Sequence, residues 1–129
     1  MILFDTDICI EILRGNKRVL ERRKETDEII AISFMSVAEL YYGAECSRDR
    51  SKNIRIVEEF LFTVQVVHTD LAILRAFGEL KGQLRKQEIL LPDADVLIAA
   101  TALTKCSRLV TGNLKHFNRF EGLTAVNWK

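Results

Sequence analysis

Short apolar runs alternate along this chain with longer stretches of helical spacing, and that alternation restricts the fold more than any other feature. Five runs read as strands: Ile2–Phe4, then residues 29–32, 64–67, 109–111 and 123–126. Residues 29–32 are β-branched at three of four positions, which favours extended backbone. Helices are predicted at residues 8–14, capped by Asp7 and stopped by Gly15, and at the basic stretch 17–24. Ser36 opens another, with Val37, Leu40, Tyr41 and Ala44 as its apolar stripe. Residues 51–62 form the next, and Asp70 caps a longer one reaching Lys86. The last opens at Pro92, since proline suits a first helical position, and runs to about residue 104. Alternation of this kind calls for right-handed strand–helix–strand crossovers, hence an α/β fold with a mostly parallel sheet covered on both faces. Such a sheet binds ligands outside the carboxyl ends of its strands, at a switch in strand order. At 129 residues the chain is read as one domain, 1–129, with its own core.

The bulk numbers exclude several classes. With 48% hydrophobic and 29% charged residues the chain is globular rather than disordered. A net charge of +1 gives no overall basic signature of a nucleic-acid binder. The basic residues are uneven, however: Arg14, Lys17, Arg18, Arg22, Arg23 and Lys24 crowd one stretch with only Glu21 opposing them. That stretch is a solvated helix face unless an acidic metal centre lies beside it, in which case it can hold phosphates. Cys9, Cys46 and Cys106 form no CxxC pair and read as packed thiols, suited to a reducing cytosol. The opening MILFDTDICIE carries acids where a signal peptide needs bases, and no run approaches the roughly 18 apolar residues of a membrane span.

Four polar residues stand out from their surroundings. Asp5 ends the run ILFD, Glu39 lies within SVAEL, and Asp95 precedes VLIAA. Asp95, Ile98, Ala99 and Ala102 share one helical stripe, so a carboxylate is aligned with residues expected to be buried. Asn113 follows the fourth strand, as Asp5 follows the first, so both reach the same rim. Each has a structural reading as well. Asp5 can end a strand, and Glu39 stands three residues after Ser36, the capping-box spacing. Asp93 and Asp95 suit a helix's first turn, and Asn113 suits a turn after Gly112. Together they imply carboxylates sharing a low-dielectric space, which cannot all stay ionised without a counter-cation. Oxygen donors without a His or Cys cluster point to Mg²⁺ or Mn²⁺, and an open site of that type suits phosphoryl chemistry.

FDTDICI, SVAELYYG and PDADVLIAATAL, followed by LVTGNLKHF and the closing GLTAVNW, resemble the ordered motifs of PIN-domain ribonucleases. The toxin-type members found in bacterial and archaeal VapBC toxin–antitoxin pairs are the best match, along nearly the whole chain. The resemblance implies a single PIN-like domain, a five-stranded parallel sheet sandwiched by helices. It implies the toxin of a type II system, a Mg²⁺- or Mn²⁺-dependent endoribonuclease that hydrolyses RNA phosphodiester bonds in the cytoplasm. By the same resemblance Asp5, Glu39 and Asp95 are the catalytic acids and metal ligands, and Asn113, standing where many members carry a fourth acid, is a neutral metal or water ligand that adds no charge. Thr6 and Thr111 match hydroxyl positions near the metal and phosphate. Asp7 stands in place of a frequent Asn and supports Asp5, and Asp93 is peripheral. Arg14, Lys17 and Arg18 are the expected RNA-backbone contacts. A homodimer, a VapB-type antitoxin masking the site and no membrane association complete the expectation. Two alternatives remain at this stage. FDTD also resembles the opening of haloacid-dehalogenase-type phosphatases, with Asp5 as nucleophile and Asp7 as acid/base, although no acid follows Asn113 until Glu121. The other is a non-catalytic PIN domain that binds RNA.

Overall fold

The computed structural model describes residues 1–129. In chain order it runs β1 (Ile2–Phe4), α1 (Thr6–Leu13), α2 (Lys17–Glu25), β2 (Ile30–Ser33), α3 (Phe34–Glu45) and α4 (Arg50–Leu61). It continues through β3 (Gln65–Val67), α5 (Leu71–Lys86), α6 (Asp93–Lys105), β4 (Arg108–Val110), α7 (Leu114–Phe117) and β5 (Ala125–Val126). All pairings are parallel, in the order β3-β2-β1-β4-β5. The first strand in the chain is therefore the central one. The chain grows outward from β1 to β3, then returns to place β4 on the other side of β1. That reversal opens a crevice between the carboxyl ends of β1 and β4.

The pleat of β1 divides the interior. Ile2 and Phe4 face one way, joining Ile8, Ile12, Ile32, Leu40, Val57 and Val110 under α1–α4. Leu3 faces the other way, into a layer that includes Ile73, Leu80, Leu84, Ile98 and Leu109 beneath α5 and α6. All three β1 residues are fully buried, as a strand covered on both faces requires. Trp128 closes the first layer edge-on against Phe4, with ring centroids 5.2 Å apart. No helix is long and apolar enough to cross a membrane.

Several sequence expectations shift at the element ends. Asp5 is the N-cap of α1, its side chain accepting from Thr6 N; Asp7 instead lies in the first turn. Gly15 does end that helix, with φ +79°. Ser33, not Ser36, caps α3. This removes the capping-box reading of Glu39, which lies beyond the first turn of α3. Pro92 is the cap residue of α6 rather than its first helical residue. β4 stops at Val110, so Thr111 is left to point into the crevice region as the first residue past the strand. The one-turn α7 has no counterpart in the sequence reading.

Candidate active site at the β1–β4 crevice

Asp5 enters the crevice on the end of β1, where its own N–H is still paired with Val110 O of β4 at 2.9 Å. Its side chain is only 6% exposed as part of a residue otherwise enclosed by α1 and β4. Oδ1 accepts from Thr6 N at 2.8 Å and Oδ2 from the Thr111 hydroxyl at 2.8 Å. These two donors favour the ionised form, yet burial and the neighbouring Asp7 charge outweigh them. With Asp95 adding to the same field, the Asp5 carboxyl is pushed up to about 7.

Thr6 ties the first acid to the second. Its Oγ1 lies 2.7 Å from Glu39 Oε1 and 2.8 Å from Ser36 Oγ. A carboxylate only accepts, so the single Thr6 proton goes to Glu39 and Ser36 supplies its own. Glu39 thus points from α3 toward the start of α1. Asp7 is held differently: Oδ2 accepts from Gly112 N at 2.9 Å, and Lys129 Nζ lies 3.5 Å away. Its Oδ1 is buried with no partner. A Cβ at position 112 would stand 2.7 Å from both Asp7 Oδ2 and the Lys129 side chain, so glycine is the residue that admits this close approach.

Asp95, the third residue of α6, is set on the opposite wall with its side chain 20% exposed. Its Oδ2 lies 2.7 Å from His116 Nδ1, and Asn113 Nδ2 lies 2.9 Å from the same ring nitrogen. Asn113 N donates to Thr111 Oγ1 at 2.9 Å. A continuous series of contacts therefore runs Glu39–Thr6–Asp5–Thr111–Asn113–His116–Asp95. Every member of this series except His116 is singled out in the sequence, Asp5 and Asn113 as residues of the rim. His116 carries no signal as part of a histidine cluster; its spacing of three from Asn113 is the available one, since i,i+3 residues in a helical turn are neighbours.

Other expected residues lie further out. Asp93 is exposed and pairs with Lys81 at 2.8 Å. Arg14, Lys17 and Arg18 are exposed. Arg14 borders a cleft of about 300 Å³ between α1, α3 and α4 that also reaches Glu39. Two further members of the basic stretch have structural roles: Arg22 stacks 5.6 Å over Trp128, and Arg23 binds Thr63 O and Oγ1. Cys9 is buried, which pushes its thiol up, as a packed residue and not a nucleophile.

As the side chains stand, no three acids or histidines converge as direct ligands of one ion. The donor set nonetheless fits a hard divalent cation. Asp5 is short of positive charge by the measure of its own raised pKa, and Asp7 Oδ1 is an orphaned buried acceptor. Carboxylate oxygens dominate, the preference of Mg²⁺-like ions.

Comparison with known proteins agrees over the same span. The PIN domain family pattern matches residues 2–123. The chain is 34% identical over 127 residues to ribonuclease VapC2 of Haemophilus influenzae, covering 98% of this chain and 96% of that protein. It is 30% identical, with the same coverage, to the tRNA(fMet)-specific endonuclease VapC of Shigella flexneri. Among solved structures it superposes on a chain of VapBC2 from Rickettsia felis, determined bound to a promoter DNA fragment. There the TM-score is 0.93 at 28% identity, covering both chains fully.

Proposed function

The chain belongs to the PIN domain family, and on that footing we propose that it is the endoribonuclease toxin of a type II toxin–antitoxin pair, hydrolysing RNA phosphodiester bonds with a divalent metal. The observation that carries this reading is the buried Asp5 carboxyl at the end of β1, linked through Thr6 to Glu39 and through Thr111, Asn113 and His116 to Asp95. A buried, perturbed carboxyl at a strand-end crevice supports a functional site there. The relatives named above are a ribonuclease and a tRNA(fMet)-specific endonuclease, and the structural match is to a chain of VapBC2.

Asp5 and Asp95 are the residues placed to hold the ion, from the two walls of the crevice. Mg²⁺ or Mn²⁺ is the finer assignment, from the oxygen donors. When bound, the ion supplies a Lewis acid for phosphate oxygens and a means of activating water. Glu39, fixed by the Thr6 hydroxyl, is placed to accept from or orient a water on its side. Thr6 and Thr111 keep the acids in register, and Asn113 holds Thr111 through its N–H while its amide meets His116. Asn113 is thus a positioning residue before it is a ligand. Arg14, at the mouth of the adjoining cleft, together with Lys17 and Arg18, supplies RNA-backbone contacts. A VapB-type antitoxin is the proposed protein partner, a homodimer the proposed assembly, and the cytoplasm the place of action. The phosphatase alternative fares worse: it needs a further acid after a later strand, and none follows Asn113 until Glu121.

The test incubates purified protein with labelled RNA in Mg²⁺ or Mn²⁺, with and without chelator, beside Asp5→Asn. Cleavage that stops in chelator and in the variant is expected. Cleavage that persists in either refutes the metal mechanism.

A further inference from the structure

The two walls of the crevice hold their acids by different means. Asp5 has two donors, a backbone N–H and a hydroxyl. Asp95 has one partner, the His116 ring, which alone decides where that carboxylate points. His116 stands on α7, a single turn pinned by Phe117, which is fully buried against Phe120. The same turn is tied back to Asp5 through Asn113 N and the Thr111 hydroxyl.

Hydrogen-bond accounting fixes the chemistry of the ring. Nδ1 faces Asp95 Oδ2 at 2.7 Å and the Asn113 amide at 2.9 Å. An ionised carboxylate can only accept, so Nδ1 must carry a hydrogen. Asn113 then cannot donate to that nitrogen, and its amide turns its oxygen toward the ring; the two amide orientations are a matter of assignment. One N–H is shared between Asp95 and Asn113, and Asp95 Oδ1 is left as the oxygen available to a cation.

We propose that His116 is a positioning residue for the nuclease reaction, its Nδ1–H fixing Asp95 for metal binding from the far wall of the crevice. The proposal rests on Asp95 being a ligand, as in the function proposed above. Partners of this kind set ligand direction and basicity, and their loss typically weakens metal binding by about 10–100-fold.

The experiment measures Mn²⁺ binding by calorimetry on the whole protein as wild type, His116→Phe and His116→Asn, with melting curves for each. Phenylalanine keeps the ring shape without the donor; asparagine can return an N–H to the Nδ1 position. Expected is a loss on the order of 10–100-fold in His116→Phe, with folding intact and most of the affinity recovered in His116→Asn. Proton–nitrogen correlation spectra of the metal-free wild type should show the hydrogen on Nδ1. A His116→Phe variant that binds Mn²⁺ as well as or better than wild type overturns the proposal, as does a ring protonated on Nε2 alone. Asp95→Asn separates the two levels: if wild type binds Mn²⁺ and Asp95→Asn binds equally, the ligand assignment itself fails. If Asp95→Asn loses binding and His116→Phe does not, only the role of His116 fails.

Discussion

The wall built by β1 and α1 and the wall built by α6 and α7 carry similar residues in different physical states. On the first, Asp5 is enclosed and held by backbone and hydroxyl donors, with Asp7 beside it. On the second, Asp95 is partly exposed and held by one ring. The first wall stores unfavourable charge that a bound proton or cation relieves; the second keeps a partly exposed acid whose direction one ring sets. The contrast teaches that neighbouring acids need not share their desolvation evenly. Here desolvation is concentrated on the acid carried by the most central strand, where packing can withstand it.

The largest effect should come from the first wall. Asp5→Asn should lower RNA cleavage by on the order of 10³-fold, about 4 kcal/mol at the transition state, as expected when charge stabilisation at a phosphoryl centre is lost. Rates on labelled RNA measure it, and a variant cutting at near wild-type rate would place the chemistry elsewhere.

Next comes a pH dependence that should separate the walls. Folding raises the Asp5 carboxyl from an ordinary 3.8 to about 7. The fold therefore favours its neutral form. The stability this confers is whole below about 3.8 and is lost as pH rises through about 7. In chelator the melting temperature should fall between pH 5 and pH 8, roughly 3 °C for each kcal/mol lost. Asp5→Asn should flatten that slope and Asp95→Asn should not. Added Mg²⁺ should restore stability most at the alkaline end, since cation binding needs the ionised carboxylate. A slope unchanged in Asp5→Asn would break the comparison.

Thr111→Val probes the donors of the first wall. It removes a hydroxyl that favours ionised Asp5, at a cost of about 1 kcal/mol. The activity profile should shift to higher pH, read from cleavage rates across a buffer series. The smallest effect belongs outside both walls. Arg14→Ala should raise the KM for RNA modestly, with a difference that shrinks as salt is added.

Much of this arrangement was legible because it is local. β1 was readable from three consecutive apolar residues, and Asp70 as a cap from its place before an apolar stripe; the structure keeps both. The acids were legible as polar residues in apolar surroundings. What failed depended on distance along the chain. Asp7 was read as the cap because it adjoins the apolar run, whereas Asp5 takes that role once β1 fixes its backbone. Burial of Asp95 was inferred from its helical stripe, yet the first turn of α6 opens toward the crevice and Asp5 is the enclosed acid. Four residues of α7 show no period to detect, and the contact of His116 lies 21 positions away on another helix.

The bond between Asp5 and Thr111 joins positions 106 apart. On a ribosome, the second residue of that bond emerges only after most of the polypeptide has been made. A nascent or prematurely terminated product therefore carries the first acid without the strand that encloses it. The enclosure of Asp5 is completed only late in synthesis, by a contact distant in the chain.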